Sequence, residues 1–280
     1  MSNATRYRRW AIIFFWAAFA LFPVYWMGIT AFKDSKDIFD GPFVLPFVDF
    51  QPSLQAWEFL LGEGRDQFLT GLVNSTIFAV LGAFFAVLIG AFAAYGLARY
   101  QYRYGPAKNN DVSFFIVSQR MMPPIVAVIA LFAIFRFLGQ LDTHLGMILI
   151  YTWFSLPLTV FLLTEFMGRI PVEIEQAAAI DGYGKMQQIL RVVLPLASPG
   201  LAAAFLLSFF FIWNDFLLAL MLTFKDAQTL PLIITSWSAQ MEPRWWLIAA
   251  AGLIAIIPPA IAAVILDRYM DRQVLRGGTR

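Results

Sequence analysis

The sequence predicts an all-α membrane protein with six transmembrane helices and both termini in the cytoplasm. Three observations carry this prediction. Hydrophobic residues make up 60% of the 280 positions and charged residues only 14%. Six apolar segments are long enough to cross a bilayer, and Lys and Arg lie mostly on one side of them. None of the segments has the alternating pattern of an outer-membrane strand, so helices are predicted.

The six predicted spans form a single transmembrane domain over residues 1–280. Each holds the roughly 20 mostly apolar residues that a spanning helix needs, and they lie at about 10–32, 70–98, 112–137, 144–167, 197–224 and 245–267. The basic start MSNATRYRRW resembles a signal peptide, but the apolar run behind it is too long and no clear cleavage site ends it. We therefore expect the first span to be retained as a membrane helix.

Basic residues predict the orientation of these spans. An even number of spans puts both termini on one side, together with the loop 168–196. That side carries Arg6, Arg8, Arg9, Arg99, Arg103, Lys108, Arg169, Lys185, Arg191, Arg268, Arg272, Arg276 and Arg280, whereas the other side carries Lys33, Lys36, Arg65, Lys225 and Arg244. Because positive charge accumulates in cytoplasmic loops, we expect the termini and the loop 168–196 in the cytoplasm of a bacterial cell, with the chain multi-pass in its inner membrane.

Composition excludes several other functions. A net charge of +2 is too small to indicate nucleic-acid binding, and without cysteine the chain has no disulfide, thiolate metal site or Cys nucleophile. It has no G-x-x-x-x-G-K-[ST] motif with which to hold nucleotide phosphates. The single histidine, His144, has no obvious acid–base or metal partner in the sequence, and we interpret it as incidental.

Two segments outside the loop 168–196 have a distinctive composition. The acidic outer loop, about residues 33–69, is either a surface for a soluble binding protein or a solvated connector, with prolines holding it extended. The second span is rich in small residues, which indicate close helix–helix contact rather than exposure to lipid. These residues are Gly82, Gly90, Ala91, Ala93, Ala94 and Gly96.

Polar groups inside the third and fifth spans are candidates for a substrate pathway. A charge within a span is costly, and such groups usually face a cavity or a partner. Two interpretations stay open for the third-span arginine, which either faces the cavity or pairs with a buried carboxylate such as the one in the fifth span. Aromatic neighbours in the fifth span suit stacking on a sugar ring but also ordinary packing. The predicted pathway residues are Arg120, Met121, Pro123, Trp213, Asn214 and Asp215.

The longest non-hydrophobic segment of the later chain is residues 171–195, PVEIEQAAAIDGYGKMQQILRVVLP. Pro171 suits a helix start, and Glu173 and Glu175 suit the first turn, where the helix dipole favours negative charge. The helix ends near Asp181, before Gly182. A second helix follows, with one predicted apolar face and Gln187, Gln188 and Arg191 on the other. The apolar face consists of Met186, Ile189, Leu190, Val193 and Leu194.

This segment resembles the cytoplasmic EAA loop of permease subunits of ABC importers. The family pattern is E-A-A, three residues, G, nine residues, I, one residue and L-P, and it is matched by Ala177, Ala178, Gly182, Val192 (for Ile), Leu194 and Pro195. The chain departs from the pattern at Gln176, which takes the place of the leading Glu, while Glu175 lies one position earlier. Further stretches resemble the carbohydrate, maltose-permease-like branch: Asn74-Ser75, RMMPP around Arg120, WNDF at 213–216 and TLPL at 229–232.

The resemblance implies the type I ABC importer permease fold and the role of a permease subunit in an ATP-driven importer. Such a subunit moves a sugar or sugar derivative into the cytoplasm by alternating access. The resemblance implies no enzymatic activity and no cofactor on this chain, because ATP and Mg²⁺ are bound by a separate ATPase dimer. The other implied partners are a second, related permease in a heterodimer and an extracytoplasmic binding protein. The implied ATPase-coupling residues are Glu175, Gln176, Ala177, Ala178, Asp181, Gly182, Leu194 and Pro195.

Two other classes of function compete with this interpretation. A secondary transporter driven by an ion gradient would use Arg120 and Asp215 as a charge relay, but it does not explain the loop pattern. An intramembrane enzyme is disfavoured, because the chain has few candidate catalytic groups: one histidine, no cysteine and no convergent carboxylates. The identity of the sugar is beyond what the sequence shows.

Overall fold

Helices form nearly all of the regular structure. The computed structural model describes residues 3–41, 44–105, 107–238 and 243–277. The helices of these ranges are α1 (Asn3–Thr30), α2 (Ser35–Phe39), α3 (Gln55–Leu61), α4 (Arg65–Arg99), α5 (Asn109–Ser118), α6 (Pro124–Phe137), α7 (His144–Gly168), α8 (Val172–Ile180), α9 (Lys185–Gln188), α10 (Leu194–Leu196), α11 (Ser198–Trp213), α12 (Leu217–Leu222), α13 (Leu230–Ser236) and α14 (Trp245–Gly277). A 3₁₀ turn (Gln119–Met121), a π-helix (Ile189–Val193) and the antiparallel strands β1 (Arg103–Tyr104) and β2 (Ala107–Lys108) accompany them.

Four helices are long and apolar enough to cross a membrane. They are α1 over Tyr7–Thr30, α4, α7, and α14 over Trp245–Arg268, and they lie where the first, second, fourth and sixth spans are predicted. Two bent pairs pass the same test when each pair is taken as one span: Asn109–Met121 with α6, bent by 88°, and Lys185–Leu196 with α11, bent by 74°. The described ranges therefore hold four to six candidate spans.

The predicted third and fifth spans are not continuous helices, because the third is interrupted before Pro124 and the fifth between α11 and α12. The 74° bend is a separate feature at Ala197, where the predicted fifth span begins. Local chemistry explains the two interruptions. In the third, Pro123 and Pro124 lack the N–H that a helix requires, and a proline pushes the residue before it out of the helical region. Met122 is accordingly extended, with ψ 126°. In the fifth, α11 ends at Trp213, and the carboxylate of Asp215 accepts the backbone N–H groups of α12 instead of continuing the helix.

The chain divides into two compact units. The first contains residues 1–70 and 230–257. Its outer loop is folded rather than extended. Lys33 is buried beneath the rings of Trp26 and Phe50, with Nζ 4.8 and 5.1 Å from their centroids. Burial lowers the pKa of Lys33 from its ordinary value, while Asp37 and Asp49 act in the opposite direction. The prediction that prolines hold this loop extended is therefore wrong, because α2, α3 and the buried Lys33 fold it.

The second unit contains residues 71–229 and 258–280 and is built on the close contact of α4 with α7. A Cβ atom at Gly90 would lie 2.6 Å from Thr159 Oγ1, so only glycine fits there. The hydroxyl of Thr159 donates to Ala86 O at 3.2 Å across the contact. Small residues and short interhelical hydrogen bonds are typical of helix packing in membranes. Gly82, Gly90, Ala91 and Ala94 are buried, so these small residues form a packing surface as the sequence indicates, whereas Ala93 is exposed.

Candidate coupling loop and transport cavity

The loop between α7 and α11 begins with a short, well-formed helix. Pro171 is the N-cap of α8, Glu173 and Glu175 lie in its first turn, and Asp181 is its C-cap. Gly182 follows with φ +87°, in the left-handed region that residues other than glycine avoid. The predicted helix and its glycine stop are both present. The chain therefore turns sharply behind α8 at a position that favours glycine.

Glu175 is buried inside the protein rather than displayed on the loop. Its Oε1 accepts a hydrogen bond from Nε of Arg99, and its Oε2 accepts one from the hydroxyl of Tyr95 at 2.9 Å. Nη2 of Arg99 also donates to Ile170 O at 2.9 Å. The side chains of Arg99 and Glu175 are 8% and 5% exposed. We call Tyr95, Arg99 and Glu175 the Arg99 cluster.

The other predicted coupling residues of α8 divide between its two faces. Ala178 is buried, whereas Gln176, Ala177, Asp181 and Gly182 are exposed. Apolar side chains accompany them on the open side, and Ile180 is 87% exposed. Exposed apolar groups of this kind, next to polar ones, are typical of an interaction surface.

The second half of the loop differs from the predicted amphipathic helix. The π-helix at Ile189–Val193 changes the register, so Ile189 and Val193 are buried while Met186 and Leu190 are exposed. Gln188, predicted to face outward, is buried and donates to Tyr183 O at 2.7 Å. Leu194 is partly buried against the core and Pro195 is exposed. Such π turns often occur at functional sites, and nothing in the hydrophobic period of the sequence reveals this one.

A cavity of about 730 Å³ lies in the second unit, between the two helix breaks. Its size is typical of a small-molecule site. Arg120 lines it, with the guanidinium carbon 4.5 Å from the ring centroid of Phe211 and Nη1 donating to Phe154 O at 3.2 Å. Within the described ranges, no carboxylate lies within 4.0 Å of this guanidinium. The predicted alternative of an ion pair with Asp215 is therefore wrong.

Asp215 lines the same cavity and is held by its own partners. Its Oδ2 accepts from the Tyr151 hydroxyl at 3.0 Å and from the backbone N–H groups of Leu218 and Ala219 at 3.1 and 3.4 Å. None of these bonds uses Oδ1. A carboxylate oxygen of Asp215 and guanidinium N–H groups of Arg120 thus remain in the lining of the cavity, as an acceptor and donors for a polar ligand.

The remaining predicted pathway residues lie off the cavity wall. Trp213 is buried and stacks on Phe209 with ring centroids 5.8 Å apart. Asn214 donates to Phe210 O, and Met121 and Pro123 are exposed at the break in the third span. Sequence reasoning did not assign the cavity residues Tyr151, Trp153 and Phe154 to the pathway, whereas Phe211 is one of the fifth-span aromatic residues that it considered for stacking on a sugar ring. The available signal for Tyr151, Trp153 and Phe154 was that these aromatic residues lie close together, ahead of Pro157 in the fourth span.

His144 is not incidental, because it belongs to a polar network at the end of α7. Its Nε2 lies 2.9 Å from Asn74 Oδ1, and Asn74 Nδ2 donates to Asp226 O and Gln228 O at 2.9 Å. Nearby, the carboxylate of Asp142 accepts the backbone N–H groups of residues 224–227 at 2.9 to 3.1 Å. Although burial raises the pKa of Asp142, these four hydrogen bonds lower it below its ordinary value. The network fixes the segment that follows α12.

Comparison with known proteins agrees with this architecture. The family described as "Binding-protein-dependent transport system inner membrane component" matches residues 86–276. Trehalose transport system permease protein SugB of Mycobacterium tuberculosis is 36% identical over 283 residues, covering 99% of each chain. Diacetylchitobiose uptake system permease protein DasC of Streptomyces coelicolor is 33% identical, covering 92% of this chain and 90% of its own. Sulfoquinovosyl glycerol transport system permease protein SmoH of Agrobacterium fabrum is 32% identical, covering 93% and 89%.

Solved structures share the fold. A bacterial ABC transporter involved in the import of the acidic polysaccharide alginate has a chain that superposes with a TM-score of 0.73 at 21% identity, covering 96% of this chain and 98% of that one. The methionine ABC transporter MetNI, in an inward-facing conformation, gives 0.60 at 18% identity over 74% and 95%. The family match and the relatives at 32 to 36% identity exclude the ion-gradient-driven carrier that the sequence alone left open. The chain belongs to the family of inner membrane components of binding-protein-dependent transport systems, as a multi-pass permease subunit.

Proposed function

We propose that this permease subunit imports a sugar or sugar derivative, with energy from a separate ATPase that docks on the loop 168–196. The relatives at 32 to 36% identity are permeases for trehalose, diacetylchitobiose and sulfoquinovosyl glycerol, and these cargoes share a carbohydrate. The observation that supports this docking site is the one-sided burial of α8. One face of the helix packs against the protein and the other is exposed, with Ile180 87% exposed.

In this proposal the loop and both termini lie in the cytoplasm, and the whole chain is one transmembrane domain. ATP and Mg²⁺ bind to the ATPase dimer, so this chain needs no cofactor of its own. A second, related permease completes a heterodimer, and an extracytoplasmic binding protein delivers the sugar. Closure of the ATPase dimer moves α8, which tilts the spans and exposes the cavity alternately to each side.

The coupling residues act in different ways. Gln176, Ala177 and Asp181 meet the ATPase directly, because their side chains are exposed on α8. Ala178 lets α8 approach the protein closely, and Gly182 sets the direction of the chain behind α8. Further along, Leu194 and Pro195 end the loop next to the π-helix.

Arg120 and Asp215 are the pathway residues that the cavity supports best. Free guanidinium N–H groups donate to sugar hydroxyls, and the free Oδ1 of Asp215 accepts from them. Trp153, which is 49% exposed, offers an aromatic face to the sugar ring. The other four predicted pathway residues act through the two helix breaks, which place the cavity residues, rather than by touching cargo.

Co-purification tests the partners in this proposal. Tagged chain is isolated from its native membrane and its companions are identified by mass spectrometry. The expected companions are an ATPase, a second permease and a sugar-binding protein, which is then screened for its cargo. Recovery of the chain alone, or only with further copies of itself, would contradict the heterodimer and the docking site.

Uptake by the assembled importer tests the pathway residues. Arg120→Gln and Asp215→Asn are expected to raise the KM for uptake by roughly tenfold or more, because each removes a charge-assisted hydrogen bond worth about 1.5–3 kcal/mol. Asn remains a good helix cap, so Asp215→Asn keeps α12 in place. Arg136→Gln is the matched control, since Arg136 is the other basic residue of the third span and lies exposed in the last turn of α6. Equal kinetics in all three variants would refute the assignment.

A further inference from the structure

The Arg99 cluster attaches α8 to α4 through side-chain hydrogen bonds. Of the nine residues of α8, the buried ones are Glu175 and Ala178. Ala178 offers a single methyl group, so the polar attachment rests on the side chain of Glu175. Its carboxylate reaches two residues of α4, Tyr95 and Arg99, through separate oxygen atoms. The docking helix is thus tied to a membrane span by one side chain.

The cluster fixes the direction of α8 as well as its position. Arg99 lies in the last turn of α4 and Glu175 in the first turn of α8, so each charge also suits the dipole of its own helix. The same guanidinium bonds Ile170 O, just before α8 begins, and Glu175 inside it. Two anchor points on either side of Pro171 leave α8 little freedom to swing against α4.

Motion of α8 therefore has a route into the membrane core. Tyr95 and Arg99 are four residues apart and share one face of α4. Tyr95 is 4% exposed and packs in the core with Leu163 and Met167 of α7 and with Val193 of the π-helix. A displacement of α8 must carry these residues along or break buried hydrogen bonds. The connection joins the loop, α4 and α7.

We propose that Glu175 is a positioning residue that transmits the movement of α8 to α4 through Arg99 and Tyr95, and that it does not contact the ATPase. This inference rests on the proposed docking of the ATPase at the loop. The sequence placed Glu175 among the ATPase-coupling residues, and this proposal gives it a role in coupling without direct contact. The direct contacts are left to Gln176 and its exposed neighbours.

The test compares Glu175→Gln with Glu173→Gln in the complete importer, reconstituted in proteoliposomes with its binding protein. Glu173 lies in the same turn of the same helix but is exposed, so its variant is a matched control. Uptake of labelled sugar and release of phosphate are measured per assembled complex, and the amount of ATPase bound to the permease is measured by co-purification. The double variant Glu175→Gln with Arg99→Gln is included.

We expect Glu175→Gln to bind the ATPase as the wild type does while uptake per ATP hydrolysed falls about tenfold, because the buried Arg99 loses its counter-charge. The double variant should recover part of that loss, since it removes the stranded charge and leaves two amides able to hydrogen-bond. Glu173→Gln should match the wild type.

Two results would overturn the proposal. If Glu175→Gln lowers the yield of complex but leaves its uptake per ATP unchanged, the cluster stabilises the fold and transmits nothing. If Glu175→Gln releases the ATPase, Glu175 is a direct contact. Failure of the docking proposal itself looks different, because the ATPase would then bind away from α8 and a photoreactive group at Ile180→Cys would not join it.

Discussion

The turn at Gly182 gives the sharpest prediction about coupling. Gly182 has φ +87°, and a Cβ atom placed there would meet nothing within 4 Å. A substitution therefore acts through backbone strain alone. The left-handed conformation costs a residue other than glycine about 1–2 kcal/mol, which corresponds to roughly a 5–30-fold change in an equilibrium. We expect Gly182→Ala to lower coupled sugar uptake by about that factor, while the spans stay folded.

Gly184 provides the matched control for this experiment. It lies two residues further on, has φ −67°, and also has open space around its Cα. Gly184→Ala makes the same chemical change without strain and should import sugar at the wild-type rate. Gly182→Asn should fall between the two, because Asn tolerates the left-handed region better than Ala. Gly182→Asp adds a second carboxylate beside Asp181 at the negative end of α8, so it should uncouple ATP hydrolysis from uptake.

The assay measures labelled sugar uptake and phosphate release by the reconstituted importer, for each variant at equal amounts of assembled complex. Backbone strain predicts that uptake is fastest for Gly184→Ala, slower for Gly182→Asn and slowest for Gly182→Ala. The rate of ATP hydrolysis should change less than the rate of uptake. If Gly182→Ala imports as fast as Gly184→Ala, the left-handed turn has no part in coupling and the reasoning fails.

Two further predictions concern packing and the segment behind α12. Gly90→Leu should prevent α4 from meeting α7 and so lower the thermal stability of the detergent-solubilised protein. Ala93→Leu, at an exposed position on the same helix, should lower it far less. Similar melting temperatures of the two variants would contradict the contact. Asp142→Asn should speed hydrogen exchange of amides 224–227, unlike Asp226→Asn, because its carboxylate bonds all four. The pKa of Asp142 in the folded protein lies below its ordinary value of 3.8. Protection of amides 224–227 from exchange in the wild type should therefore persist above pH 3.8 and be lost only as the pH falls through the lowered pKa. Loss of protection already at about pH 5 would contradict this prediction.

The sequence alone predicts those elements that depend on residues close together in the chain. Long apolar runs specify α1, α4, α7 and α14, since the bilayer sets their length. The acidic first turn and the glycine stop of α8 follow from capping and dipole rules that act within a few residues. The small residues of α4 indicated close packing, and Gly90 confirms it at Thr159.

The site was harder to predict, because its contacts join distant parts of the chain. Glu175 looked like a docking residue, since nothing in the loop shows that α8 turns this side chain toward Arg99, 76 positions earlier. A tyrosine and an arginine four residues apart at the end of α4 were the available signal. Likewise, a charge in an apolar span left open whether Arg120 faces a cavity or pairs with a carboxylate. It lines the cavity, where an aromatic ring and a carbonyl contact it.

The central claim, that an ATPase meets this permease at α8, is best tested by site-specific cross-linking. The chain has no cysteine, so Ile180→Cys provides a single attachment point for a photoreactive maleimide. Phe137→Cys is the control, because Phe137 is 90% exposed at the end of α6 that is predicted to face outward. Irradiation of the assembled importer should join the ATPase to position 180 and not to position 137. The absence of an ATPase adduct at 180, or equal adducts at both positions, would contradict the account.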